Sequence, residues 1–315
     1  MALFSTIDPD TAARWLLVPG DWRRPDVKDE YEILWDRERS FGQIWPRPQL
    51  SEVLTYYEVE DYYTHGRRAA QATQAQSLVQ RLQTKISWLA DKGVEPDTGW
   101  WLSVLGNQKL RILEIGCGHG ANLTALQKLG HSVFGVEPDP AARAIARDAG
   151  HEVYDGTAED LPSEVSGERF DVIIFMHVLE HCIDPFDAIR SAVGVLKEGG
   201  TVVAEVPNNE CRGAARFGIA WHWLDVPRHL NFFTSHSLCE LFRSAELHVE
   251  DVTFRGFCRQ FSPGWKSVQS EIASRLGLRD DERPKELDYW HYLAATMWSG
   301  KSKKYDSVRV VGRRR

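Results

Sequence analysis

The stretch ILEIGCGHGANL, residues 112–123, passes from an apolar run through three alternate glycines into residues with helical spacing. It reads as a β-strand that ends in a glycine turn and opens a helix. Gly116, Gly118 and Gly120 let the backbone turn tightly and come close to a ligand without a side-chain barrier. In an open α/β sheet that turn lies at the carboxyl edge of the first strand, where ligands bind. The same rhythm continues on both sides. KLRILEI, HSVFGVE, HEVYD, FDVIIFM and GTVVAEV are β-rich runs between residues 109 and 206. The segments ANLTALQKLG, DPAARAIARDAG and DPFDAIRSAVGVLKEGG between them carry helical periodicity and end in glycine. Strands joined by helical crossovers require a parallel sheet with right-handed connections, and a run such as DVIIFM suits burial on both faces. The expected fold is a doubly wound, Rossmann-like α/β sheet.

The spacing at the turn is GxGxG, whereas dinucleotide enzymes use GxGxxG and set a pyrophosphate on the helix N-terminus. Glu114 stands just before the turn, where its charge repels phosphate and attracts a cation. The ligand expected here is a cationic, phosphate-free nucleoside, which disfavours an NAD-dependent oxidoreductase. Glu137, at the end of FGVEPD, is placed to accept both hydroxyls of a ribose.

Taken together, ExGxGxG, the acid after strand two, AEDLP at 158–162, FDVIIFMHVLEH at 170–181 and LKEGGTVVAEVPN at 196–208 resemble the class I S-adenosylmethionine-dependent methyltransferases over about residues 105–250. The resemblance implies a seven-stranded sheet with an antiparallel last strand and S-adenosylmethionine as cofactor. It implies cofactor contacts from Glu114, Gly116, Cys117, Gly118 and Gly120, and from Glu137 and Pro138 at the ribose. Thr157, Ala158 and Glu159 border the adenine, and Met176, His177 and His181 lie near the sulfonium. Thr157 stands where many members have Asp, so Glu159 or a neutral contact is expected to serve the adenine amino group. For Met176 the plainer reading is core filling, and for His181 a bond to the start of the next helix.

The segment GIAWHWLDVPRHLNFFT, residues 218–234, then resembles the W…D.PRHL.FFT signature of a subgroup that acts on sugars, quinones and other small hydroxylated acceptors. It is expected to close the acceptor pocket within an insertion at 207–234. A hydroxyl needs a base, and histidine titrates near neutrality. His229 is the expected catalytic base and His222 the second candidate, with a histidine that pins the loop as the plainer reading. Trp221, Trp223, Arg228, Phe232, Phe233 and Arg259 are the expected acceptor contacts; aromatic residues this dense also suit a core, and Arg228 also suits an ion pair with Asp225. The expected reaction is O-methylation of a sugar, glycan precursor or natural product, with C- or N-methylation of a quinone or other small molecule as the alternative.

Residues 61–315 are expected to form the methyltransferase domain, with a long leading helix over 67–93 and a helical insertion at about 264–299. Residues 1–60, rich in Trp and Pro, form an appendage too short for a robust core of its own, with a hairpin in YEILWDRERSFGQIWPRP. Several relatives in the resembled subgroup carry a zinc ribbon at this place; here Asp36 and Arg39 occupy cysteine positions, which implies a metal-free module held by its side chains. No metal ligand is expected anywhere in the chain. The following YYEVEDYYTHG places Tyr62, Tyr63 and His65 as a cap on the acceptor pocket.

The chain as a whole has 315 residues, 43% hydrophobic and 26% charged, with a formal charge of −7, and gives no reason to expect a nucleic-acid partner. It shows neither a secretory signal nor a membrane span, and a cytoplasmic place is expected. The five cysteines form no CxxC pair and read as reduced thiols.

Overall fold

The computed structural model describes residues 6–27, 29–57 and 77–315. Its larger sheet has seven strands: β4 (Arg111–Ile115), β5 (Ser132–Val136), β6 (Glu152–Tyr154), β7 (Phe170–Met176), β8 (Leu196–Pro207), β10 (Leu247–Arg255) and β11 (Ser307–Arg314). Their order is β10-β11-β8-β7-β4-β5-β6, and the order reverses beside β4. Strands β4 to β8 pair in parallel, whereas β11 is antiparallel to both β8 and β10. This is the doubly wound sheet that the βαβ rhythm implies, with the seven strands and antiparallel last strand that the family resemblance implies. Val172 to Phe175 of β7 are buried, as a central strand covered by helices on both faces requires.

Local signals place the crossover helices. Asp139 accepts a bond from the Ala141 N–H (2.9 Å) ahead of helix Pro140–Asp148. Asp184 accepts from the N–H groups of Phe186 (2.8 Å) and Asp187 (3.2 Å) ahead of helix Pro185–Val195. In each case a side-chain cap is followed by proline at the first helical position, where the absent N–H costs nothing. The leading helix begins at Leu78 behind a Ser77–Gln80 capping box and ends at Ala90, shorter than the expected 67–93; positions 58–76 lie outside the described residues. Helix Thr98–Leu105, capped by Asp97, was not legible beside the acidic stretch that precedes it.

The N-terminal segment forms a second sheet: β1 (Ala13–Val18), β2 (Tyr31–Asp36), β3 (Phe41–Trp45) and β9 (Asn231–Phe232). The expected hairpin is β2–β3, but its outer edge is completed by β9 from inside the 218–234 loop. Adjacent strand residues face opposite sides of a sheet. Phe232 therefore enters the cluster of Ile33 and Ile44, while Phe233 enters that of Leu34 and Phe41, and both are fully buried. Asp36 and Arg39 form an ion pair of 3.3 Å that is partly exposed. Such a pair contributes about 0–1 kcal/mol, whereas burying one Phe contributes about 1.5–3 kcal/mol, so packing on the loop holds this sheet.

A buried ionic clamp ties the same two parts. Arg228, with no exposed side-chain surface, donates to both carboxylate oxygens of Asp21 at 2.6 and 3.0 Å and to Asp225 at 3.2 Å. Asp225 also accepts from Trp22 Nε1 (3.0 Å) and Arg23 Nε (2.9 Å). Burial opposes its charge, but Arg228 and Arg23 hold its carboxyl well below the ordinary range. Removing one partner of a buried pair strands the other charge. Asp21→Ala is expected to lower folding stability by about 3–5 kcal/mol in denaturant titration; a loss of a few tenths would show that Asp225 alone satisfies the guanidinium.

Candidate active site

The carboxyl ends of β4, β5, β7 and β8 converge on the glycine turn. Gly116, Gly118 and Gly120 have φ of +70°, +53° and +83°, the left-handed region that favours glycine. A Cβ on Gly116 would lie 2.4 Å from Val178 Cγ2, whereas one on Gly118 would meet nothing within 4 Å. The first glycine is thus demanded by packing, and the second faces open space. Glu114 is buried beneath the turn, with Oε1 bonded to Asn122 Nδ2 (2.7 Å) and Oε2 without a hydrogen-bond partner among the described residues. Burial raises its carboxyl to about 8, against the Asn122 bond and with help from the Glu137 charge. Glu137 accepts from the Gly118 N–H (2.7 Å) and the Asp139 N–H (2.9 Å), which hold its carboxylate against the turn. A buried acid with a spare oxygen beneath an open glycine suits a ligand with a cationic amino group, to which it pairs once it gives up its proton. Pro138 is exposed beside Glu137, and Cys117 is buried under the turn with its thiol pushed up by burial.

At the adenine border, Thr157 closes a turn with Asp160: its hydroxyl accepts from the Asp160 N–H at 3.1 Å. Ala158 is buried in the main core. Glu159, expected to serve an adenine amino group, instead accepts from the Ile183 N–H at 2.8 Å. Its carboxylate anchors the loop after β7.

The end of β7 carries the densest chemistry. Met176 is partly buried against the core. His177 has φ +58°, rare for a residue with a Cβ. Its ring stacks on Trp223 (centroids 4.8 Å, 9° between planes), with Nδ1 3.2 Å from Glu180 Oε1 and Nε2 3.2 Å from Glu205 Oε1. Burial pulls its pKa down, but the bonds to Glu180 and Glu205 outweigh it and raise it overall. Glu205, at the end of β8, also accepts from Arg255 Nε (2.7 Å) and from Arg309 Nη2 (2.6 Å) and Nε (2.8 Å). Burial opposes its charge, yet His177, Arg255 and Arg309 keep it ionised, well below the carboxylate range.

The loop after β7 is sewn to the 228–231 stretch. The Leu230 N–H donates to the Glu180 carbonyl (2.7 Å), and Asn231 Nδ2 donates to the carbonyls of Leu179 (3.2 Å) and Cys182 (2.6 Å). Arg47 from the N-terminal sheet donates to the carbonyls of Leu230 and Ile183. These bonds bring His181 and His229 together with ring centroids 4.6 Å apart. His181 Nδ1 lies 3.0 Å from the Arg228 carbonyl, and His229 Nδ1 lies 2.9 Å from the Trp223 carbonyl. A carbonyl only accepts, so each Nδ1 carries the proton and each Nε2 keeps a bare lone pair. Burial, with His181 beside it, pulls His229 down to about 3; burial also lowers His181. Both imidazoles are neutral at physiological pH. One ligand atom each of Glu180, His181 and His229 lie within 4.8 Å of one another, and Glu180 Oε2 is buried without a partner among the described residues.

The expected acceptor contacts separate into two groups. Arg228, Phe232 and Phe233 are corrections: all three are fully buried in the seam with the N-terminal sheet, because β9 pairs with β3 and Arg228 pairs with Asp21. Trp223, His222 and Arg259 form a cluster with Trp265, in which Arg259 lies over the Trp223 and Trp265 rings while bonded to Asp306 and Ser307. Trp221 is buried against Phe217 and Trp265. Burial pulls His222 down to about 4, so it too is neutral. Tyr62, Tyr63 and His65 lie outside the described residues. Tyr57, which sequence reasoning passed over for those three, has its hydroxyl 2.8 Å from His181 Nδ1. Glu180, Glu205 and Arg47 were also missed; the LEH run was the one local signal for Glu180.

Among the described residues, no helix is long and apolar enough to cross a membrane. Residues 67–252 match a family profile described as a methyltransferase domain. Curated relatives include the ubiquinone biosynthesis O-methyltransferases of Cereibacter sphaeroides, 35% identical over 156 residues, and Ruegeria pomeroyi, 33% identical over 159 residues. These alignments cover 46% and 47% of this chain and 62% and 63% of the relatives' own lengths. A solved 1,6-didemethyltoxoflavin N1-methyltransferase from Burkholderia thailandensis aligns with 90% of this chain and 95% of its own, at 15% identity and a TM-score of 0.46. With the profile spanning more than half of its length and the GxGxG turn at the switch point of the sheet, the chain belongs to the methyltransferase-domain family, of the S-adenosylmethionine-dependent class I type.

Proposed function

We propose that the protein methylates a hydroxyl oxygen of a small, polyhydroxylated acceptor such as a sugar or glycan precursor, with S-adenosylmethionine as donor. The observation that carries this reading is the pair of buried, neutral imidazoles, His181 and His229, whose Nε2 lone pairs are left free by bonds from Nδ1 to backbone carbonyls. When bound, S-adenosylmethionine supplies an electrophilic methyl on a sulfonium that leaves as a neutral thioether. Glu114 and the open Gly118 face suit its amino acid end, Glu137 its ribose and Thr157 its adenine border. A neutral imidazole takes the acceptor proton as the oxygen attacks, and the fixed loop keeps that oxygen in line with the methyl. The O-methyltransferase names of the curated relatives favour oxygen as the methylated atom.

The aromatic cluster around Trp265 supports the acceptor class. Trp221 Nε1, His222 Nδ1, Trp265 Nε1, the Gln269 amide and the Tyr289 hydroxyl are buried without hydrogen-bond partners among the described residues. Their rings adjoin through Trp265 and Phe217, and Gln269 lies one helical turn from Trp265. Unpaired buried donors cost about 1–3 kcal/mol each, and a ligand rich in hydroxyls satisfies them while its ring faces lie on the indoles. A purely apolar acceptor leaves that cost in place.

Two measurements test the reading. Calorimetric titration with S-adenosylhomocysteine should show binding that NAD does not. Because the Glu114 carboxyl sits near 8 in the free protein, it is protonated at pH 6.5 and must lose that proton to meet an ammonium group. Affinity should therefore rise as pH increases from about 6.5 towards 8, and Glu114→Gln should flatten the rise. A pH-independent affinity in the unmodified protein would remove Glu114 from the site. In a turnover assay, His229→Ala should cut kcat by about 10²–10⁴-fold while leaving S-adenosylhomocysteine affinity within a few fold; near-normal turnover would reduce His229 to a loop pin.

A further inference from the structure

We propose that Glu180, His181 and His229 form a binding site for one divalent transition-metal ion at the acceptor end of the pocket. The proposal rests on the function above only for its purpose; the binding itself is independent of it. The donor atoms come from two turns that the fold joins, the one after β7 and the 228–231 stretch, and all three lie within 4.8 Å of one another. Metal-ligating histidines almost always donate their other ring N–H to a carbonyl or carboxylate, which fixes the tautomer and aims the bare nitrogen at the ion. Both histidines have that arrangement already, on the carbonyls of Arg228 and Trp223. Tyr57 adds a second polar contact at His181 Nδ1.

Glu180 supplies the independent observation. Its side chain is buried, Oε1 is engaged by His177, and Oε2 has no partner among the described residues. A buried carboxylate oxygen with no donor to pair it, in a side chain whose ligand atoms and those of His181 and His229 lie within 4.8 Å of one another, is a costly arrangement that a cation resolves. Bonds of about 2.0–2.2 Å to each ligand require the three atoms to close by roughly 1 Å, within reach of side-chain rotation at Glu180.

The donor set selects the ion. Two imidazoles and one carboxylate suit zinc, iron, manganese or nickel, whereas magnesium and calcium prefer all-oxygen shells. Three protein ligands leave at least one position open, as at catalytic rather than structural sites. With an ion bound, His229 would be a ligand in place of the base, and the ion would lower the pKa of the acceptor hydroxyl at the open position, whose proton passes to water.

The test uses full-length protein stripped with a chelator and titrated with cobalt(II), read by visible d–d absorption, and with zinc, read by calorimetry. One equivalent should bind, and His229→Gln and His181→Gln should each abolish stoichiometric binding while keeping the circular dichroism spectrum and cooperative thermal unfolding of the unmodified protein, which report an intact fold. His248→Ala, at an exposed position on β10, should bind the full equivalent and controls for surface histidines. Should either glutamine variant misfold, the other and Glu180→Gln decide. No stoichiometric ion in the unmodified protein, or an equivalent retained in the variants, overturns the site. A stripped protein that still methylates its acceptor at full rate and binds no ion would refute the metal and leave the methyl-transfer reading standing. Loss of S-adenosylhomocysteine binding would refute that reading and leave the metal titration to stand alone.

Discussion

The buried guanidinium of Arg228 fixes the position of nearly everything at the acceptor end. Held by Asp21 from the N-terminal sheet and by Asp225 from its own loop, it cannot move without exposing an unpaired charge to a low-dielectric interior. Its carbonyl receives the His181 Nδ1 bond, and its neighbour in the chain is His229. One ion pair therefore sets the tautomer of one histidine and the backbone place of the other. The N-terminal segment contributes Asp21 to the clamp, Arg47 to the carbonyls of Leu230 and Ile183, and Tyr57 to His181. This segment acts as a brace for the loop, since β9 completes its sheet and shares its core.

The cofactor end obeys a different constraint. Glycine geometry, a buried acid with a spare oxygen and a carboxylate held by two backbone N–H groups form a surface complementary to a cationic nucleoside before any ligand arrives. The glycine turn and the Glu137 carboxylate are fixed in advance of binding, and the one change left to make is loss of the Glu114 proton. The desolvation that raises the Glu114 carboxyl is the same term that makes its eventual ion pair strong, because both come from the low dielectric beneath the turn.

The sequence disclosed the parts whose information is local. The βαβ rhythm, the Asp-Pro helix starts and the glycine turn each reside within a few residues, and a parallel, doubly wound sheet follows from them with the handedness of crossovers. It did not disclose the partners that fold across long separations. Arg228 finds Asp21 across 207 positions and Glu205 finds Arg309 across 104, and neither pair leaves a periodic trace. Phe232 and Phe233 looked like acceptor contacts because aromatic density in a loop suits a pocket and a core equally; only the pairing of β9 with β3 decides between them. His181 and His229 were each visible, but their shared tautomer and bare Nε2 atoms depend on carbonyls supplied by the fold.

Glu180 links the two ends of the site through a single carboxylate. On the cofactor side, Glu205 is neutralised by Arg255, Arg309 and His177, so His177 can carry positive charge between Glu205 and Glu180. That charge occupies Oε1 of Glu180 and fixes the plane of its carboxylate. The plane in turn determines how the carboxylate lies among its other neighbours, His181 and His229. Loss of positive charge at His177 would release the carboxylate to rotate, and the geometry at the acceptor end would loosen with it. The strained φ of His177 is consistent with this burden: a residue in the left-handed region persists only where side-chain contacts over-determine it, and here two acids and the Trp223 ring do so.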